Sequence, residues 1–525
     1  MPGTDFDVVV VGSGFGGAVA ALRLSEKGYR VAVLEEGRRF EPEDLPTTSW
    51  RVRDYLWAPR FGCRGIQRLT PLRDVLVLSG AGVGGGSLVY ANTLYEPPAD
   101  VWDDGEWGDE LAPWYDQARR MLGVARFPGD TAADEVMRGV AARLGVADTF
   151  EPTPVGVWFG EDGVDPYFGG AGPLRNGCDL RGACMTGCRR GAKNSLDRNY
   201  LWLAERSGAE IRPDTRVHRL VREGHVPGTV PGTWLVETGR GSFRAREVVL
   251  AAGVLGTLGI LFRSGLGGPH VGDGVRTNSE VLVGASARRA GVDYSRGVAI
   301  TSMIRADEHT HIQPVRYGKG SNLMGLLGTI LVDEPGPARW AAAAARHPAA
   351  FARSLWLRRW SERTVILLVM QTRENALRVR MTRRGRLTTL DSDAPGMIPV
   401  ANEAARIAAE LVGGDPGSAI NEVVLGTPTT AHILGGACIG TVVDRYQRVL
   451  AAPGLHVLDG AAVNVNLGVN PSLTIAAQAE RACSLWPNAG DDDRRPPLGA
   501  AYLRLEPITP SSPAVPAGAP AALRA

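Results

Sequence analysis

Residues 6–11, Phe-Asp-Val-Val-Val-Val, form a short apolar run of the kind found in a strand covered on both faces. A glycine loop follows at once, Gly12-Ser13-Gly14-Phe15-Gly16-Gly17, and Ala18 to Lys27 continue at helical spacing. After Gly28, residues 29–34 (Tyr-Arg-Val-Ala-Val-Leu) predict a second strand ending at Glu35. Strand, glycine turn, helix, strand and acid in that order predict a dinucleotide-binding βαβ unit. Further on, Glu247 to Ala252 predict a strand that turns at Gly253 into a helix. The runs at 281–287 and 364–371 predict strands of an antiparallel layer, and 473–481 predict an alanine-rich helix. Between 337 and 363, Trp340, Phe351, Trp356 and Trp360 alternate with Arg346, Arg353, Arg358 and Arg359. That segment suits a lid or a buried helical pair with basic outer faces, or a helix lying on a membrane surface. Past about Asp491 the periodicity gives way to Pro, Ala and Ser, which predicts a mobile tail over 491–525.

Composition narrows the class. Apolar residues make up 44% and charged residues 22% of 525, enough for a real core and for two or three domains. No uninterrupted apolar run of about 18 residues is present, so no segment reads as a membrane span. Fifty-eight basic against 56 acidic residues leave a net charge of +2, which argues against nucleic acid as the main partner. Sixty-seven glycines imply tight turns and close backbone approach to a ligand. Three of the six cysteines, Cys178, Cys184 and Cys188, crowd one short stretch, and the chain opens directly on its first strand. Both features lead to the expectation of a reducing, cytoplasmic setting.

The glycine loop carries the first chemistry. Gly12 permits the tight turn, Gly14 lets the backbone approach a pyrophosphate, and Gly17 lets helix pack on strand, while Glu35 accepts from ribose hydroxyls. FAD and NAD both use such a unit. A second glycine run, Ser79-Gly80-Ala81-Gly82-Val83-Gly84-Gly85-Gly86-Ser87-Leu88-Val89, suggests another backbone segment against the same long cofactor. In the last third, His432-Ile-Leu-Gly435-Gly436 precedes Asp459-Gly460 and then Gly468-Val-Asn470-Pro471-Ser472-Leu473-Thr474-Ile475.

Taken in order, the four motifs resemble those of the glucose–methanol–choline (GMC) flavin oxidoreductases, and among them the cholesterol-oxidase-like branch. The resemblance runs from about residue 5 to 485. It implies an α/β fold: a Rossmann-like FAD-binding domain with a mixed sheet in three layers, and an inserted α+β substrate domain built on an antiparallel sheet. The FAD-binding part would cover 1–270, with a cysteine-containing insertion at about 100–195, and return at 421–490; the substrate domain would cover 271–420. The resemblance implies FAD contacts at Gly12, Ser13, Gly14, Phe15, Gly17, Glu35, Gly82, Gly85, Gly86, Ser87, Val217, Ala252, Gly253, Asp459, Gly460, Asn470, Pro471 and Thr474. FAD is expected to be non-covalent, since no histidine lies in the second glycine run. His432 and Asn470 would sit where flavin meets substrate, a bulky hydrophobic sterol-like or polyketide-like alcohol. Oxygen or another acceptor would take the electrons.

Two departures stand out. Cholesterol oxidases carry a glutamate as the proton acceptor in a segment like Ala-Glu-Ile-x-Pro; here the counterpart is Thr310-His311-Ile312-Gln313-Pro314, which nominates His311 as a base, with Glu308 and His309 as neighbours. Loss of that glutamate also puts the branch's steroid isomerisation in doubt. Arg181 stands where a fourth cysteine would complete a ferredoxin-like spacing with Cys178, Cys184 and Cys188, so no metal is expected there. A lyase of the same fold, a dehydrogenase feeding a protein or quinone, and an electron-transfer protein with iron at the cysteines remain rival readings. Peripheral membrane contact through 337–363 remains open, as does the oligomeric state.

Overall fold

A computed structural model of the chain describes residues 4–102, 105–224, 232–289, 291–392 and 396–524. The first strand, Phe6–Val11, lies near the middle of a seven-stranded mixed sheet. On one side it pairs in parallel with Val31–Leu34, which pairs in parallel with Glu210–Arg212. On the other it pairs in parallel with Gly241–Leu250, and antiparallel pairs continue through Thr233–Thr238 to Val217–Glu223. Leu455–Val457 joins the end of the 241–250 strand in parallel, bringing the chain's last third back to the first glycine loop. Val8, Val9 and Val10 are wholly buried, as strands covered on both faces require.

The helix after the loop, Phe15–Glu26, is buried along its whole length against Tyr200–Arg206 and Ser472–Ser484. Its charged groups are therefore paired. Arg23 meets Glu26 and Glu480, each at 2.7 Å, and Tyr200 donates to Glu480 at 2.7 Å. Without those partners a buried guanidinium would be costly.

The second seven-stranded sheet is antiparallel throughout. Its order is Gly328–Ile330, Gly414–Ala419, Val281–Ala287, Thr364–Gln371, Thr310–Val315, Ser302–Arg305 and Glu151–Pro152. The 364–371 strand is apolar on both faces, and its period of two sorts the faces. Val365, Leu367 and Val369 pack with the helices Pro399–Leu411 and Ala132–Arg143, whereas Leu368 and Met370 join Ile300 and Val315 on the opposite side. The expected α/β architecture, a mixed sheet plus an antiparallel substrate layer, is thus present.

Two expectations change. Pro337–Arg346 and Pro348–Ser354 are helices, but neither buries a residue, so they are no buried pair. Trp340 and Phe351 meet edge to face at 5.6 Å instead of entering a core. Residues 491–524, expected as a mobile tail, pack against the fold. They have no regular structure, hence no periodicity, yet Val515, Ala521 and Ala522 are buried in the core around the 15–26 helix. The amide of Ala514 donates to Glu26 at 2.8 Å, and Gln117 donates to the Ala521 carbonyl at 3.2 Å. Lys27, among its bonds to backbone carbonyls, donates to Ile508 at 3.0 Å; burial pulls its pKa down to about 8.

Candidate active site

A cavity of about 810 Å³ is lined from both sheets. One part follows the first glycine loop. Gly12 takes a positive φ of 96° at the turn, and a Cβ on Gly17 would sit 2.0 Å from the Gly12 carbonyl oxygen. Gly16, to which the sequence assigned no role, is as constrained: a Cβ there would sit 1.7 Å from the Leu458 carbonyl oxygen. That contact sets Asp459 and Gly460 against the loop. Burial pushes the Asp459 carboxyl up to about 6, against bonds from the Thr257 hydroxyl at 2.6 Å and the Ala461 amide at 2.9 Å.

Glu35 is buried at the end of its strand. It accepts from the Ser13 hydroxyl at 2.7 Å, the Ser13 amide at 3.1 Å, the Gly37 amide at 2.9 Å and the Gly82 amide at 3.3 Å. One carboxylate thereby ties both glycine runs together; burial raises its pKa while the amides oppose the rise. Gly12, Ser13, Gly14, Phe15, Glu35, Gly85, Gly86, Val217, Ala252, Gly253, Asp459, Gly460, Asn470 and Pro471 line the cavity. Four expected contacts stand behind its wall. Gly17 and Gly82 are packing positions, Ser87 bonds Gly84 and Leu196, and Thr474 bonds the Tyr115 hydroxyl at 3.0 Å.

The second part holds the candidate chemistry. His432 Nδ1 lies 2.7 Å from Glu280 Oε2, and Glu280 Oε1 accepts from the Ala431 amide at 2.7 Å. The carboxylate makes Nδ1 the protonated nitrogen and leaves Nε2 with its lone pair. Asn470 Nδ2 lies 3.2 Å from that Nε2, and Asn470 Oδ1 accepts from Gln313 Nε2 at 3.3 Å. Glu280 is 1% exposed, so its hydrogen bond to His432 is shielded from solvent. A second carboxyl nearby, Glu422, is pushed up to about 8 by burial, with Glu280 adding to the rise. Near neutral pH it is therefore mostly protonated.

His311 does not reach this group. It is not among the side chains lining the cavity; it packs against Tyr95 at 6.3 Å, and burial pulls its pKa down to about 4. Position along the strand, not its face, makes the difference. Gln313, two residues on, shares its face but lies nearer the Asn470 loop, and its Oε1 is buried with no partner. Glu308 and His309 are exposed. The sequence quoted Gln313 without giving it a role, and nothing in it singled out Glu280.

The walls suit FAD. The 15–26 helix begins at Gly14 with no side-chain cap and no acid in its first turn, which leaves amide donors and the positive end of the dipole for a pyrophosphate. A Cβ on Gly86 or Gly253 would meet nothing within 4 Å, so the backbone there faces open space. The cysteine stretch is separate. Cys184 is buried, its carbonyl accepts from Lys193 Nζ at 2.7 Å, and all six cysteines are free. Among the described residues no cluster of His, Cys, Asp or Glu could hold a metal ion.

Compared with known proteins, the chain matches the GMC oxidoreductase family over residues 174–280 and 372–479 and an FAD binding domain over residues 7–43. It is 50% identical to a cholesterol oxidase of Mycobacterium tuberculosis, covering 99% of this chain and 98% of that protein. It is 40% identical to a cholesterol oxidase of Acinetobacter baumannii, over 92% and 94% of the two chains. The structure of a fungal aryl-alcohol oxidase superposes with a TM-score of 0.56 at 15% identity, over 92% of this chain and 98% of that one, a likeness of fold. The chain belongs to the GMC oxidoreductase family, in its cholesterol-oxidase-like branch, and is an FAD-dependent oxidoreductase. No described helix is long and apolar enough to cross a membrane.

Proposed function

We propose that this enzyme oxidises a hydroxyl group on a bulky, sterol-like alcohol to the carbonyl, with His432 and Asn470 at the reacting carbon and oxygen as the electron acceptor. The observation that carries the reading is one cavity wall. Leu282, Ile300, Val315, Ile366 and Leu368 present an apolar surface continuous with His432, Asn470 and the glycine loop. Such a surface takes a rigid hydrophobic body and leaves one polar end for a hydroxyl. The cholesterol oxidases it resembles act, by name, on such a molecule.

When bound, FAD supplies the hydride acceptor. The chain supplies the rest. His432 Nε2 is the atom that accepts the hydroxyl proton, and Asn470 Nδ2 is a donor within reach of the same oxygen. Gln313 holds Asn470 through its Oδ1 and, as a neutral amide, cannot take the proton itself. Steroid isomerisation is accordingly left out of this reading. Gly12, Ser13, Gly14, Phe15, Gly85 and Gly86, with Val217, Ala252, Gly253, Asp459 and Gly460, would hold FAD non-covalently. Residues 271–420 would be the substrate-binding unit, with 1–270 and 421–490 holding the flavin.

Leu355 and Trp356, 62% and 47% exposed, follow the Pro348–Ser354 helix, next to the basic 358–359 pair. That combination favours contact with a membrane surface as the source of substrate. The test is an anaerobic visible spectrum before and after adding sterols, followed by air. Bleaching by a sterol and hydrogen peroxide on readmitting air support the reading; flavin bands unchanged by every alcohol refute it.

A further inference from the structure

The approach to Glu280 is strained. Asn278 and Ser279 are consecutive non-glycine residues at positive φ, 64° and 46°, and both are buried. Such backbone persists only where its surroundings over-determine it. Here they do. Asn278 Oδ1 accepts from the Gly468 amide at 2.7 Å, and its Nδ2 donates to the Val469 carbonyl at 3.1 Å. Ser279 donates to the Arg373 carbonyl at 3.1 Å and accepts from Asn375. Asn278 therefore grips the backbone just before Asn470, while Glu280, two residues later, grips His432 Nδ1 and the amide preceding it. Thr430 completes the frame: its hydroxyl donates to the Thr277 carbonyl at 3.0 Å and accepts from the His432 amide at 3.0 Å.

We infer that the Asn278-Ser279-Glu280 turn is the positioning device of this active site, and that Glu280 is the positioning residue that makes His432 the proton acceptor. The inference rests on the proposed alcohol oxidation. It accounts for a proton acceptor at the site although the strand residue that touches Asn470 is Gln313. A neutral amide there can orient Asn470 but cannot take a proton, whereas an anion held behind the imidazole favours the imidazolium that forms when Nε2 accepts one. The strained turn gives the anion a place 2.7 Å from Nδ1 without opening the site to water. Glu280 Oε2, 2.7 Å from Nδ1, is the carboxylate oxygen that faces His432. The step balances: the hydroxyl proton goes to His432 Nε2, and the hydride leaves the same carbinol for FAD.

The test uses the FAD-loaded enzyme, with Glu280→Gln, Glu280→Asp and His432→Ala as variants. Glu280→Gln should keep its visible flavin bands and its half-saturating alcohol concentration while FAD reduction slows by roughly 10- to 100-fold. The acid limb of the rate against pH should move to lower pH, and Glu280→Asp should recover part of the rate. A second readout needs no substrate. In protein labelled with nitrogen-15 histidine, the low-field Nδ1 proton of His432 should shift upfield in Glu280→Gln. Wild-type reduction rates and pH profile in Glu280→Gln, with His432→Ala inactive, would overturn the inference. If no alcohol reduces the wild type, the functional reading fails and the histidine signal decides alone; a His432 signal indifferent to Glu280→Gln then overturns the dyad. If Glu280→Gln fails to fold, Glu280→Asp carries both readouts, and an unchanged profile and signal there would overturn it equally.

Discussion

Asn470 Nδ2 lies 3.2 Å from His432 Nε2, across 38 residues of sequence and between two different loops. The two loops meet because Leu455–Val457 returns to the mixed sheet between them and the Ser472–Ser484 helix packs on the first helix. The pair is therefore a product of the fold's closure, and substitutions on either side of it should separate cleanly.

His311→Ala should reduce FAD with alcohol at close to the wild-type rate, because its ring meets Tyr95 edge to face away from the cavity. Gln313→Leu should slow reduction by roughly tenfold or more, by leaving Asn470 Oδ1 without its donor. Anaerobic stopped-flow absorbance on both variants decides; a severe loss in His311→Ala with a silent Gln313→Leu would reverse the two assignments.

Gly16→Ala should be destabilising by about 1–3 kcal/mol and poor in FAD, since the new Cβ has backbone 1.7 Å away and no side chain can yield. Gly86→Ala meets nothing within 4 Å of protein, so its effect should fall on FAD affinity alone. Thermal unfolding of the apoprotein and FAD titration separate the two. Equal melting temperatures for Gly16→Ala and wild type would contradict the packing role.

Ending the chain after Pro507 should cost about 2–4 kcal/mol, because Val515, Ala521 and Ala522 leave the core around the 15–26 helix and Lys27 loses a carbonyl partner. Chemical denaturation measures it, and binding of an apolar dye should rise. An unchanged midpoint would mean that the terminal segment contributes nothing.

Asp415 receives Arg353 at 2.6 Å and Arg288 at 2.9 Å, holding the Pro348–Ser354 helix to the sheet beside the cavity. Burial pushes its carboxyl up, but the two guanidinium groups outweigh that and hold it below its ordinary 3.8. A depressed pKa stabilises the fold fully above the unfolded value and loses that contribution as pH falls through the folded one. Asp415→Asn should thus cost about 1 kcal/mol at neutral pH, given partial exposure, with the gap closing in acid. A gap that is constant with pH would show that charge is not the cause.

Much of this was legible in the chain. The 6–35 segment shows its fingerprint because a parallel strand must be apolar throughout and a pyrophosphate turn must be glycine, so physics leaves few alternatives. The 364–371 strand was legible as an apolar run, whereas His432 and Asn470 were singled out through the family resemblance. Glu280 was not, because an acid before an apolar strand looks the same whether it faces water or a histidine 152 residues on. His311 was preferred to Gln313 because five residues of resemblance fix a strand but not which end of it approaches the site. The terminal segment misled because periodicity reports helices and strands, whereas this stretch is held by its carbonyls and small side chains.

The most direct measurement is anaerobic stopped-flow reduction of the bound FAD by a sterol carrying either hydrogen or deuterium on the carbinol carbon, in wild type and in His432→Ala. The account predicts bleaching that is slower with deuterium, and a loss of roughly 10²- to 10⁴-fold in His432→Ala with FAD still bound. Bleaching equally fast in His432→Ala, or no bleaching of the wild type by any sterol, would contradict it.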